Sequence, residues 1–168
     1  VFASQISGTP VFDDCRFANN VVSMSGGAVQ TNMSSGAGMS FTGCVFESNQ
    51  ALYYGGAVDM QSDGAFQFAD CVFAGNSVNG GASDAFGGAV SMIDDTVATF
   101  TDCDFTGNEA LSTATSYGGA LYAGGTVTVT IAGGLSESNT STSVGGATAF
   151  LFGADATLAG VTFRGNTT

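Results

Sequence analysis

Three sets of residues in this sequence could do chemistry: four cysteines, the carboxylates among fourteen acidic side chains, and asparagines in acceptor triplets. Cys15, Cys44, Cys71 and Cys103 recur at spacings of 29, 27 and 32 residues. Such even recurrence suits one column of a repeating structure, not the clustered, histidine-assisted ligand set of a zinc site. Stacked strands lie about 4.8 Å apart, so neighbouring members fall within reach of a disulfide. The pairs Cys15–Cys44 and Cys71–Cys103 are therefore open, and so is a ladder of buried thiols acting as small hydrophobes. The triplets at Asn32, Asn139 and Asn166 fit N-x-[ST] and would accept a glycan on a secretory route. Chance triplets are the competing reading in a chain this rich in Ser and Thr.

A pair of carboxylates can act as acid and base in glycoside hydrolysis, and Asp70 with Asp102, or the adjacent Asp94-Asp95, are the candidates. Asp70 and Asp102 share a column with Asp14, Gly43, Gly133 and Gly160 before the Cys position, and such aspartates are more often turn residues. The same groups would bind Ca²⁺ weakly, without a dense D-x-D-x-D loop. The chain has no Lys and no His, and Arg16 and Arg164 are its only cations. The expectation is no catalytic site and no cofactor. A formal net charge of −12 leaves no basic patch to neutralise phosphates, which excludes nucleic acid and disfavours an anionic membrane surface. No apolar run approaches about eighteen residues, so membrane insertion is not expected either.

These residues sit in a repeat. Gly-Gly-Ala recurs at residues 26, 55, 87, 118 and 145, with spacings of 29, 32, 31 and 27. A second signature, F-x-x-N, stands at Phe17/Asn20, Phe46/Asn49, Phe73/Asn76, Phe105/Asn108 and Phe163/Asn166, with Ser136/Asn139 as a degenerate copy beside Leu135. Aligned, they give a longer unit, F-x-x-C-x-F-x-x-N, whose first column reads Phe12, Phe41, Phe68, Phe100, Ile131, Leu158. Length varies on either side of the Gly pair, most of all over residues 77–86 and 109–117.

Period-two alternation, as in Thr126-Val127-Thr128-Val129-Thr130-Ile131, marks half-buried strands. A period near 29 built from short strands predicts an all-β, parallel, right-handed β-helix solenoid of about six coils. The whole chain, 1–168, reads as one domain, with coils starting near 1, 28, 57, 89, 120 and 147. At the inter-strand spacing it makes a rod roughly 30 Å long, which puts Arg16 and Arg164 roughly 25 Å apart, too far for one site. The Phe columns become aromatic ladders. The Asn column is expected to take left-handed bends and bond from coil to coil. An ice-binding face would want ranked Thr, but the column Val11, Ser40, Gln67, Thr99, Thr130, Thr157 has Thr in half the coils.

The coupling of GGA[VL] with F-x-x-N resembles the repeats of chlamydial polymorphic membrane proteins. It extends over nearly the whole chain, through four GGA[VL] copies, the variant Gly145-Gly146-Ala147-Thr148 and five F-x-x-N copies. The resemblance implies a secreted β-helical adhesin passenger domain, extracellular or at the cell surface.

Val1 is not an initiator Met, and residues 1–12 align with 57–68, so first and last coils share nearly one phase. The expectation is a processed or excerpted piece of a longer rod, or a unit that self-associates end to end into a filament. Its expected function is structural or adhesive. Alternatives are an adhesin-like domain that meets an extracellular protein or a glycan through one face or through 77–86 and 109–117, and a carbohydrate-active enzyme of the β-helix class.

Overall fold

The structure, a computed structural model, describes residues 1–4, 8–32, 37–61 and 63–168. Every regular element in it is a strand. Three six-stranded parallel sheets each take one strand from every rung, and about five turns of chain connect the six rungs. The first sheet holds Phe2–Ser4, Val29–Asn32, Val58–Gln61, Val90–Ile93, Leu121–Gly124 and Thr148–Leu151. The second holds Val11–Asp13, Gly38–Thr42, Ala65–Ala69, Val97–Thr101, Thr128–Ala132 and Asp155–Ala159. The third holds Arg16–Ala18, Val45–Glu47, Val72–Ala74, Asp104–Thr106, Leu135–Glu137 and Thr162–Arg164.

Alternation along each strand sends one set of side chains into a shared core and the other outward. In Thr128–Ala132, Val129 and Ile131 are buried in the core while Thr128 is exposed. Register is constant from rung to rung, so like residues stack. Phe12, Phe41, Phe68 and Phe100 form one ladder with ring centroids 4.8–4.9 Å apart. Phe17, Phe46, Phe73 and Phe105 form a second at 4.7–4.8 Å. The two meet edge to face at 5.5–5.7 Å within each rung, the geometry ring quadrupoles favour. Phe163 does not join: Ser136 stands between it and Phe105 in the register, and it is 45% exposed.

The bends are set by backbone chemistry. Between second and third sheets, the residue before the Cys column is left-handed in every rung: Asp14, Gly43, Asp70, Asp102, Gly133 and Gly160 have φ of 49–72°. Asp and Gly tolerate that region, whereas branched side chains do not. At the end of the third sheet the left-handed residue is Asn19, Ser48, Gly75, Gly107, Ser138 or Gly165, one place before the expected Asn. The Asn column is thus freed from bending the chain and serves as a buried side-chain ladder. In the Gly pair, the first residue takes positive φ, while the second is needed for close approach. A Cβ on Gly88 would lie 2.1 Å from Gly119 O and 2.6 Å from the Glu109 backbone.

That close approach closes the main core as a neck, and residues between Asn and the Gly pair fold outside it. Gln50–Ala51, Ser77–Gly81, Glu109–Ser112 and Thr140–Ser141 make a four-stranded parallel sheet, and Ala85–Phe86 pairs with Ser116–Tyr117. Ala51, Val78 and Ala85 form a second small core there. Residues 77–86 and 109–117, read from sequence as elastic loops, are therefore paired strands of an ordered lateral lobe. Val78, Ala85 and Ala110 bury their side chains, which irregular loops would leave exposed.

Candidate functional site: buried columns and a lateral lobe

The Asn column is a continuous amide chain. Nδ2 of Asn20, Asn49, Asn76, Asn108 and Asn139 donates to Oδ1 of the next member at 2.8–3.0 Å. Each backbone N–H donates to that same Oδ1 at 2.9–3.1 Å. From the second rung to the fifth, Nδ2 also donates to the Phe carbonyl of the preceding rung at 2.9 Å, as Asn76 does to Phe46. Asn49, Asn76, Asn108 and Asn139 are fully buried, and both Nδ2 protons and the Oδ1 of each are in use.

This geometry corrects the acceptor reading of Asn139. Its Nδ2, the atom a glycan would join, is buried and donates to Phe105 O, Ser136 Oγ and Asn166 Oδ1. A sugar there would break the ladder. Asn166 also commits its Nδ2, to Ser136 O at 2.8 Å. Asn32 is exposed at the end of its strand, while Ser34 of its triplet lies outside the described residues.

The four cysteines are free and aligned. Cys44, Cys71 and Cys103 are buried, and Cys15 is half-buried in the first rung. Each buried thiol lies within weak hydrogen-bond range of the Phe carbonyl one rung back, at 3.5 Å for Cys44 and Phe12. Burial pushes the Cys44 thiol up, and a hydrogen bond to the Cys71 sulfur together with burial pushes Cys103 up. Those two sites favour neutral thiols, the poorer form for metal binding or nucleophilic attack.

Asp70 and Asp102 occupy exposed bend positions on successive rungs, and Asp94 and Asp95 take left-handed turn conformations between first and second sheets. Asp102 Oδ1 fills the space beside Gly133. Among the described residues no three of His, Cys, Asp and Glu gather to hold a metal ion. Arg16 pairs with Glu47 and Arg164 with Glu137, across rungs at opposite ends of the third sheet. The Arg164 guanidinium holds Glu137 below its ordinary value.

The outer face of the first sheet carries a site that the sequence did not single out. By register Gln30, Asp59, Ser91 and Tyr122 form one column. Asp59 and Ser91 are fully buried despite facing away from the core. What covers this face is a corner made with the lobe, where Tyr54, Phe86 and Tyr117 stack at 4.8 and 5.2 Å. Tyr122 tilts against Phe86 at 4.9 Å. Gln61 Nε2 donates to Asp59 Oδ2 at 2.7 Å, but Asp59 Oδ1 and Ser91 Oγ have no hydrogen-bond partner. The signal available in the sequence was Asp at an alternating position of a strand, shortly after Tyr54, one of the three aromatics that precede a Gly pair.

Residues 102–124 match the Chlamydia polymorphic membrane protein repeat. The chain is similar to that repeat over one passage from the bend at Asp102, through Phe105 and Asn108 and round the lobe, to Gly124 at the end of the first sheet. No curated protein and no solved structure matches the chain. The matched repeat thus contains both signatures, F-x-x-N and GGA[VL], whose coupling carries the resemblance.

Proposed function

We propose that this chain is a non-catalytic, extracellular structural or adhesive β-helix that forms part of a longer rod or stacks end to end into a fibre. The observation that carries the reading is constant register. Each of the three sheets adds a rung by parallel pairing in the same register, so continuation requires no new backbone chemistry. Apolar side chains on the last rung that continue inward columns, such as Leu158 at 41% and Phe163 at 45% exposure, would be covered by another rung. Similarity to the chlamydial repeat supports a surface-exposed adhesin-like role and fits a reading without catalysis.

A second reading rests on the lobe. Its main sheet takes strands from four rungs, two of which carry the longest insertions, and an apolar groove lined by Val21, Val22, Ala51 and Leu52 runs beside Asn79 and Gly81. In this reading the lobe meets an extracellular protein or a glycan. Negative-stain microscopy across a concentration series tests the first reading: filaments with an axial repeat near 30 Å are expected. Isolated short rods at every concentration would overturn end-to-end stacking and leave the lobe reading standing.

A further inference from the structure

The corner between the lobe and the first sheet holds a buried carboxyl that the proposed function does not use. Asp59 has zero exposure, one oxygen bonded to Gln61 and the other without a partner, and beside it stands the unpartnered Ser91 hydroxyl. The groups that face it are Gln30 from the preceding strand, Gln61 from its own, Ser91 from the next and Tyr54 from the lobe, with Tyr122 and Asp84 beyond Tyr54. None is a cation. Both arginines are committed to glutamates on the third sheet, and the sequence has no Lys or His.

A neutral carboxyl suits this setting, because its unpaired oxygen can carry a proton and donate to Ser91 or Gln30. A carboxylate suits it less: it would be buried and acceptor-only, with amide and hydroxyl groups at Gln61, Ser91 and Gln30 around it but no cation to balance its charge. We propose that Asp59 is a proton-controlled latch, which holds the lobe against the first sheet when neutral and releases the Tyr54 corner to water when ionised. The corner is the element able to yield. Tyr54, Phe86 and Tyr117 are only half-buried, and Tyr54 is tied to sheet neighbours by isolated bridges to Ser25 and Phe86, not by a long strand. The three-sheet core behind it is closed by independent ladders and need not move.

Burial pushes the Asp59 carboxyl up to about 7, with the bond from Gln61 and the nearby Ser91 and Gln30 opposing this only in part. An open corner would return the carboxyl to its ordinary range near 4. By linkage, opening then becomes roughly tenfold more favourable per pH unit between those two values, and level above the higher one.

The test is hydrogen exchange on the full chain from pH 5 to 8.5, corrected for intrinsic base catalysis and read over residues 53–60. Protection there should fall about tenfold per unit up to pH 7 and then level off, while the third sheet stays protected. D59N should show no such dependence. A carboxyl ¹³C titration of the wild-type protein keeps the proposal falsifiable if that variant does not fold. Titration of Asp59 in the ordinary carboxylate range overturns it, as does the same pH dependence in D59N. No partner enters the measurement, so its outcome is independent of whether the lobe or the rod ends bind anything.

Discussion

Among the described residues two buried polar columns run along this molecule, and they differ in how completely they are satisfied. In the Asn column every rung supplies the same side chain, so each donor meets an acceptor of matched geometry one rung away, from Asn20 to Asn166. In the column Gln30, Asp59, Ser91, Tyr122 every rung supplies a different side chain, and Asp59 Oδ1 and Ser91 Oγ are left unpaired. Sequence identity between rungs is what makes a buried polar stripe stabilising; heterogeneity turns the same burial into a local cost.

The sharpest way to break the contrast is Asn76→Ala. It removes the bonds made by the Asn76 amide and leaves the Asn49 N–H, the Asn49 side chain and Phe46 O without their partner, all in the dry interior. A loss of roughly 4 kcal/mol is expected in urea denaturation, given about 1–3 kcal/mol for each orphaned buried group and partial relaxation. A loss under about 1 kcal/mol would show that the ladder is redundant with stacking.

The opposite sign is expected at Asp59→Asn. Because the folded carboxyl lies above its unfolded value, its contribution is fully present below pH ~4, falls as pH rises through about 7 and is constant beyond. The difference in stability between D59N and wild type should therefore shift in favour of D59N from pH 4 to 7, by roughly 4 kcal/mol in all, and stay level to pH 8. Thermal melts of both proteins across that range check the slope, and a flat difference would contradict it.

Smallest is Ser91→Ala, which deletes an unpartnered hydroxyl and should be neutral or stabilising by about 0.5 kcal/mol. A clear destabilisation by chemical denaturation would mean that the hydroxyl is bonded in solution, to Asp59 or to a buried water.

Much of the fold was legible because the repeat writes each structural column into the sequence. The two Phe ladders, the turn glycines and the parallel stacking follow from periodicity, since like residues at a fixed period must meet when coils stack. Legibility failed where a residue's role depends on neighbours outside its own column. Asn139 satisfies the acceptor triplet and also belongs to the amide ladder, and only burial decides between them. The residue with left-handed φ proved to be Asn19 or Gly107 rather than the Asn that follows, because the side-chain ladder needs that Asn's backbone N–H aimed along the stack. Residues 77–86 looked elastic because their length varies, yet their strands pair in parallel with those of the adjacent rung.

The sequence by itself determined a stack of parallel coils with an apolar interior, because alternation fixes which side chains face inward and the period fixes which ones meet. Only the tertiary structure decided where the outward-facing residues go. The Gly pair brings two stretches of backbone too close for any side chain between them, and that neck swings the lobe over one face of the first sheet. The chain folding back over its own exterior is what buries Asp59, and no pattern within a single strand records it.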